Sequence, residues 1–253
     1  MSSSRTLGAL AWPDAVGRIV LPRVDSTMAE AARRVGDITE PTWIMAGAQT
    51  AARGRQGRVW RAPPGNFAAT LVMRPTGDAE AAALRSFVAA LALFDALSGL
   101  TGRADAFALK WPNDVLLHGG KVAGILLERL GDGALLVGIG VNLAAAPSAA
   151  EVEAGAVRPA SLRDALQVEI APAECLDALA GVFAAREAAL AAEGFARIRE
   201  AWLARAARLG QPIRARVGPD EYQGTFETID AAGHLVLLTA AGRQTIPAAD
   251  VYF

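Results

Sequence analysis

Two stretches hold residues whose types and spacing could do chemistry. The first is Arg53-Gly54-Arg55-Gln56-Gly57-Arg58-Val59-Trp60-Arg61, with four arginines in nine residues. Guanidinium forks match phosphate and carboxylate bidentately. The two glycines between them rule out a stable helix or strand interior. The stretch reads as a basic, mobile loop, kept open by mutual repulsion until an anion arrives. A solvated charged loop is the plainer alternative. A nucleic-acid patch is the other, weakened by the near-neutral chain and the lack of interleaved aromatics. The second stretch is 107–143, where Lys110, Asn113, Asp114, Lys121 and Asn142 interrupt runs that are otherwise apolar. A lysine or asparagine inside a buried sheet is costly unless it is paired or faces a ligand. One such residue would read as a strand end facing water. Five of them, with glycines between, read as a site.

Several chemistries are not supported. The chain has two histidines, His118 and His234, and one cysteine, so no zinc-ligand spacing exists. There is no Gly-x-Ser-x-Gly elbow. Gly119-Gly120-Lys121-Val122 lacks the glycine spacing and Ser/Thr of a P-loop. Gly138-Ile139-Gly140-Val141-Asn142-Leu143 lacks the third glycine of a dinucleotide fingerprint. What remains is an arginine loop, a lysine after Gly-Gly, two asparagines and an aspartate. These suit joining a carboxylate to a nucleotide phosphate, a reaction that needs cations to bring two anions together and no enzyme nucleophile.

These residues must be positioned by the elements around them. Strand-length apolar runs across 107–143 are separated by Pro112-Asn113, Gly119-Gly120 and Gly131-Asp132-Gly133, which predicts a four-strand antiparallel meander. Upstream, 17–24, 43–48 and 66–73 read as strands. Thr27 and Glu30 have capping-box spacing for a short helix ending at Gly36. That helix N-terminus is an ordinary cap or a seat for a polar ligand head. Residues 78–100 read as a long apolar helix packed on a sheet, 144–158 as loop, and 162–167 as a short helix capped by Ser161. Two more helices are expected at 172–192 and 195–208. At Gly210 the pattern changes to five short β-like runs, 213–217, 222–229, 234–238, 243–246 and 251–253. This is the signature of a small β-barrel of SH3-like size. The expected division is therefore 1–208 and 209–253.

With 253 residues, 53% hydrophobic and 20% charged, the chain is expected to be globular. A net charge of −1 argues against a general binder of nucleic acid or membrane surface. The single cysteine, Cys175, fits a reducing, cytoplasmic setting. The N-terminal residues do not have the pattern of a signal peptide.

From about residue 17 to 253 the chain resembles the biotin–protein ligases. Arg53 to Trp60 is similar to the family's biotin-loop motif, and Lys110-Trp111-Pro112-Asn113-Asp114 to its central motif. Gly120-Lys121-Val122-Ala123-Gly124-Ile125-Leu126-Leu127-Glu128 is similar to its lysine strand, and Gly138 to Leu143 and Ser161-Leu162 to later motifs. The resemblance implies an α+β fold, a mixed, largely antiparallel sheet flanked by helices as in class II synthetases, with an SH3-like C-terminal barrel. It implies that biotin and MgATP give biotinyl-5′-AMP and pyrophosphate, and that the adenylate biotinylates a lysine of a biotin carboxyl carrier domain.

Carried over by position, Ser26, Thr27, Gln49, Arg53, Gly54, Arg55, Lys121 and Gly124 would form the biotin site. Lys121 would sit between the biotin carboxylate and the α-phosphate. Arg55 and Arg58 would close over the phosphates. Trp60, Asn113 and Asn142 would meet the nucleotide. Asp114 would either organise Mg²⁺ or help deprotonate the acceptor lysine. Met28 stands where the family often has Asn, and Ala52 where Gly is usual. No helix-turn-helix pattern precedes residue 17, so the resemblance is to the form without a DNA-binding domain and no nucleic-acid or membrane partner is expected. An edge strand of the meander could pair across a two-fold in a homodimer. A ligase for another acyl cofactor such as lipoate, and a non-catalytic biotin sensor, are the alternatives. The phosphate-suited cations argue against the sensor.

Overall fold

The computed structural model describes residues 11–148, 151, 152, 155 and 157–253. The expectation of no signal peptide at the N-terminus, and part of the 144–158 loop expectation, fall outside these residues. The chain builds two sheets. The first has seven strands: β1 (Gly17–Leu21), β2 (Thr42–Ala46), β3 (Phe67–Met73), β4 (Phe107–Lys110), β5 (Asp114–Leu117), β6 (Gly120–Arg129) and β7 (Leu135–Val141). Their order is β1-β2-β3-β7-β6-β5-β4; only β1 and β2 run parallel, so the sheet is mixed and largely antiparallel. The expected meander is the block β4 to β7.

Alternation along the strands decides which face carries what. In β3 and β7, Phe67, Ala69, Leu71, Val137, Ile139 and Val141 join the main core. That face is covered by α3 (Arg85–Thr101) and α5 (Pro172–Glu193), with α6 (Phe195–Leu203) packed against both helices and β9. The alternate residues Val72 and Leu136 meet Met28 and Ala31 of α1 (Thr27–Arg34) on the opposite face. Gly138 and Gly140 have the same parity as Leu136, so they lie on the α1 face, where the site is built.

Some boundaries differ from the sequence reading for clear reasons. β1 stops at Leu21 because Pro22 has no N–H to give the ladder. The long apolar helix is two pieces, α2 (Ala79–Ala83) capped by Asp78, and α3. Together, Ala79–Thr101 is apolar and long enough to cross a membrane by composition, yet it is mostly buried inside the protein, as a core helix requires. The helix expected to 208 ends at Leu203 because the backbone of 205–207 instead hydrogen-bonds Leu109 of β4. Ser161 does cap the short α4 (Leu162–Leu166).

The second sheet contains β8 (Pro212–Val217), β9 (Asp220–Ile229), β10 (Leu235–Thr239), β11 (Gly242–Ile246) and β12 (Asp250–Tyr252), all antiparallel, ordered β11-β10-β9-β8-β12. Its apolar face, including Phe226, Leu235 and Val251, is continuous with the main core. Trp202 meets Phe226 edge to face at 6.5 Å, and Trp111 Nε1 donates to Gly233 O at 3.0 Å. These contacts hold the second sheet against α6 and the rim of the first sheet.

Candidate active site

A cavity of about 800 Å³ opens between the α1 face of the sheet, the arginine loop and β12. All of the site residues expected from sequence line it: Ser26, Thr27, Gln49, Arg53, Gly54, Arg55, Arg58, Trp60, Asn113, Asp114, Lys121, Gly124 and Asn142. Strands more than 90 residues apart in sequence thus bring one set of polar groups to one place.

The cavity floor carries three charges in a row. Asp114 begins β5, directly across the ladder from Lys110. Lys121 Nζ lies 2.7 Å from Asp114 Oδ1, and Lys110 Nζ lies 3.7 Å from Oδ2. Asp114 and Lys110 are buried, whereas the Lys121 side chain is 31% exposed and so open to the cavity. Burial pushes the Asp114 carboxyl up, but the two ammonium groups outweigh it and hold it below the usual range. Burial lowers the Lys110 ammonium, partly offset by Asp114. The backbone of Lys121 is also fixed: its N–H donates to Arg158 O and its carbonyl accepts from Ala160 N, both at 2.8 Å. Lys110 is a part of this group that the family resemblance did not assign. Its signal was the lone lysine ending an apolar strand.

Beside the lysine, the sheet is bare. Gly124 and Gly140 face each other across the β6–β7 ladder, and the Trp60 ring lies over both. A Cβ would come within 2.7 Å of the ring at Gly140 and 3.1 Å at Gly124. A Cβ at Gly138 would meet Met28 Sδ at 2.6 Å. Gly124, expected in the biotin site, is covered here by Trp60, with Lys121 Nζ 5.6 Å from the ring centre. Gly138 and Gly140 fall in a stretch that the sequence reading matched to a family motif, but it gave neither glycine a role, because the residues that close over them, Met28 and Trp60, lie far away in sequence.

At the other end of the cavity lies the start of α1. The expected capping box at Thr27 and Glu30 does not form. Ser26 is the N-cap, its Oγ accepting from Met28 N at 3.2 Å and Ala29 N at 3.5 Å. Glu30 instead binds Arg33 and Arg34. Thr27 turns to the neighbouring strands. Its N–H and Oγ1 donate to Gln49 Oε1 at 2.7 and 3.2 Å, and its Oγ1 accepts from Thr70 at 2.9 Å. Thr70, fully buried in β3, went unrecognised in the sequence because an isolated threonine in a strand carries no signal.

The arginine loop is not splayed by repulsion as expected. It is pinned by Gly54 N to Arg58 O at 2.7 Å and Trp60 N to Ala52 O at 3.0 Å. Its charge is met by β12: Arg58 Nη2 lies 2.6 Å from Asp250 Oδ2, and Arg55 Nη1 4.0 Å from Oδ1. Burial pushes the Asp250 carboxyl up, and Arg58 with Arg55 more than reverses this, leaving it below its usual range. Arg53 points elsewhere, 4.0 Å from Glu128.

The two asparagines expected to meet a nucleotide have internal partners. Asn142 Nδ2 donates to Ala160 O at 3.1 Å and its Oδ1 accepts from Asn66 at 3.4 Å. Asn113 Nδ2 donates to Ile125 O. Both knit the cavity wall, and Asn142 is only 2% exposed. Among the described residues no three His, Cys, Asp or Glu side chains group to hold a metal. Asp114, between two ammonium groups, does not fit a metal ligand.

Residues 20–144 match the Biotin/lipoate A/B protein ligase family and residues 209–253 the Biotin protein ligase C terminal domain. A biotin–[acetyl-CoA-carboxylase] ligase of Paracoccus denitrificans is 56% identical over 92% of this chain and 99% of its own length. The bifunctional ligase/repressor BirA of Bacillus subtilis is 30% identical over 84% of this chain and 66% of its own. The fold is that of the biotin protein ligase from Aquifex aeolicus in complex with biotin and ATP, with a TM-score of 0.80 at 24% identity, covering 93% of this chain and 98% of that one. Extended similarity at that level, over a chain that carries the family's motifs in one cavity, makes this protein a member of the biotin–protein ligase family of enzymes.

Proposed function

We propose that this ligase joins biotin to ATP as biotinyl-5′-AMP and passes the biotinyl group to one lysine of a biotin carboxyl carrier domain. The observation that carries the reading is the Lys121 ammonium, held 2.7 Å from buried Asp114 and open to a cavity roofed by arginines. In the first step a biotin carboxylate oxygen attacks the α-phosphorus and the bond to the pyrophosphate oxygen breaks. Two anions must approach, and charge builds on the phosphate oxygens. Lys121, placed between them, offsets the repulsion; Arg55 and Arg58 serve the phosphates. In the second step the carrier amine attacks the acyl carbon, AMP leaves with the C–O electron pair, and the new amide nitrogen gives up its proton to water.

Asp114 is assigned the holding of Lys121. A carboxylate kept below its usual range by two cations is a weak base, poorly matched to taking a proton from the acceptor lysine. Mg²⁺ would arrive as counter-ion of the ATP phosphates, since the described residues offer it no protein cage. Ser26, Thr27, Gln49, Arg53, Gly54 and Gly124 are assigned to biotin, and Trp60 to the boundary between biotin and nucleotide. The internal bonds of Asn113 and Asn142 give them the role of shaping the nucleotide wall. Residues 1–208 would carry catalysis, with 209–253 as a small domain lending its last strand to the rim. A cytoplasmic setting accords with the buried, unpaired Cys175.

The test is ATP–pyrophosphate exchange by the purified full chain with biotin or lipoate as the sole acid. Biotin-dependent exchange is expected. Exchange with lipoate alone would move the specificity, and biotin binding without exchange would leave a sensor.

A further inference from the structure

Arg55 and Arg58 are assigned to phosphates, yet they already hold an anion of the chain itself. Arg58 donates to Asp250 through Nη2 at 2.6 Å and Nη1 at 3.4 Å. Both Nη atoms of Arg55 donate to Ala249 O at 3.4 Å, with Asp250 4.0 Å away. Asp250 is the first residue of β12, paired in the ladder with Arg216 of β8, so its backbone is fixed. Its side chain is 15% exposed and lines the same cavity. One carboxylate of the C-terminal sheet therefore stands where the guanidinium groups of Arg55 and Arg58 converge.

We propose that Asp250 is a positioning residue, a built-in counter-ion that holds the arginine loop folded before substrate arrives and that the ATP phosphates displace. The exchange swaps one anion for another at the same guanidinium groups and makes no covalent bond. It has two consequences. Without the carboxylate the ligand-free loop opens more readily, because Arg58 loses its 2.6 Å pair to β12 and the repulsion among the arginines is offset less. Without the carboxylate the phosphates also lose a competitor, so ATP binds more tightly. The second consequence rests on the ATP reading above; the first does not.

Asp250→Asn keeps the side-chain shape and the β12–β8 ladder. Trypsin cleaves after arginine, so the loop carries its own four probes between Arg53 and Arg61. Glu221→Gln is the control. It removes a carboxylate from β9 of the same sheet, 3.8 Å from Arg214. In the ligand-free full chain, Asp250→Asn is expected to raise the initial rate of cleavage within 53–61 by about threefold or more, with Glu221→Gln like wild type. The KM for ATP in biotin-dependent exchange is expected to fall by about threefold, with kcat little changed. A smaller rise in cleavage, or an equal rise in Glu221→Gln, overturns the latch. Faster cleavage with an unchanged KM overturns the displacement by phosphate. A wild type with no biotin-dependent exchange would defeat the ATP reading and leave the cleavage result to judge the latch alone.

Discussion

The two cationic regions of the cavity hold their charge in opposite ways. The floor places Lys110, Asp114 and Lys121 on adjacent strands of one ladder, with Asp114 and Lys110 buried and Lys121 fastened to 158–160 through its backbone. The loop places Arg53, Arg55 and Arg58 outside the sheet, on a segment whose main-chain bonds are short-range ones within the loop, with side chains 53, 28 and 42% exposed. Charge on the floor is fixed before substrate binds and is little screened. Charge in the loop is screened by salt and can be re-paired. The difference divides the labour. The group that stabilises a transition state belongs on a rigid strand, while groups that admit and then seal a substrate belong on the part of lowest local stability.

The largest expected effect falls on the floor. Lys121→Ala should cut adenylate formation by about a hundredfold or more, the scale seen when a charge-stabilising donor is lost. Biotin-dependent pyrophosphate exchange reads this directly. Tryptic cleavage of the loop in the same variant should stay at the wild-type rate. A near-normal exchange rate would break the assignment of chemistry to the floor.

Asp114→Asn should separate stability from chemistry. It leaves Lys110 and Lys121 without the carboxylate that lies between them, at a cost of about 3 kcal/mol, measurable by urea unfolding at neutral pH. The pH dependence has a definite sign. The folded-state carboxyl lies below its ordinary value of 3.8, so its contribution is present above that pH and is lost as pH falls through the folded value. Wild type should therefore lose stability in acid below about pH 4, and the variant should lack that component. An equal acid loss in both would show that Asp114 is not the group held.

Arg55→Gly tests the loop. Removing one guanidinium also removes its two bonds to Ala249 O. Biotinyl-AMP should escape before transfer, raising labelling of unrelated proteins about tenfold, the scale of one lost charge-assisted contact. No increase over wild type would mean that the loop does not seal the intermediate.

What could be read from sequence follows the same divide. The floor was legible because charge inside an apolar strand is expensive and therefore conspicuous: Lys110, Asp114 and Lys121 stand out from their apolar neighbours without any fold in hand. The meander was legible because its turns are glycine- and proline-rich and its strands are short. The loop's composition was legible, but its conformation was not, since Asp250 lies 192 residues from Arg58 and no local pattern links them. The helix cap went wrong by one residue because Ser26 and Thr27 both qualify, and only the pull of Gln49 on Thr27 decides between them. Asn142 looked like a ligand group because its polarity is visible in sequence and its partners, Ala160 and Asn66, are not.

The smallest expected effect comes from a residue with no sequence signal at all. Thr70 donates to Thr27, which donates in turn to Gln49 Oε1, as does the Thr27 N–H. Two donors on one oxygen fix the orientation of the Gln49 amide, so it offers a ligand its N–H groups rather than its carbonyl. A ligand at this end of the cavity must then present an acceptor, which the ureido carbonyl of biotin does. Thr70→Val keeps the volume in a fully buried strand position and removes only the first link. One neutral hydrogen bond is worth about 1 kcal/mol, so the KM for biotin should rise by roughly fivefold. The kcat should be unchanged, because the bond lies on the rigid side of the cavity but away from the reacting carboxylate. A fall in kcat with KM unchanged would place Thr70 with the floor chemistry, and the boundary between binding and charge stabilisation would have to be moved.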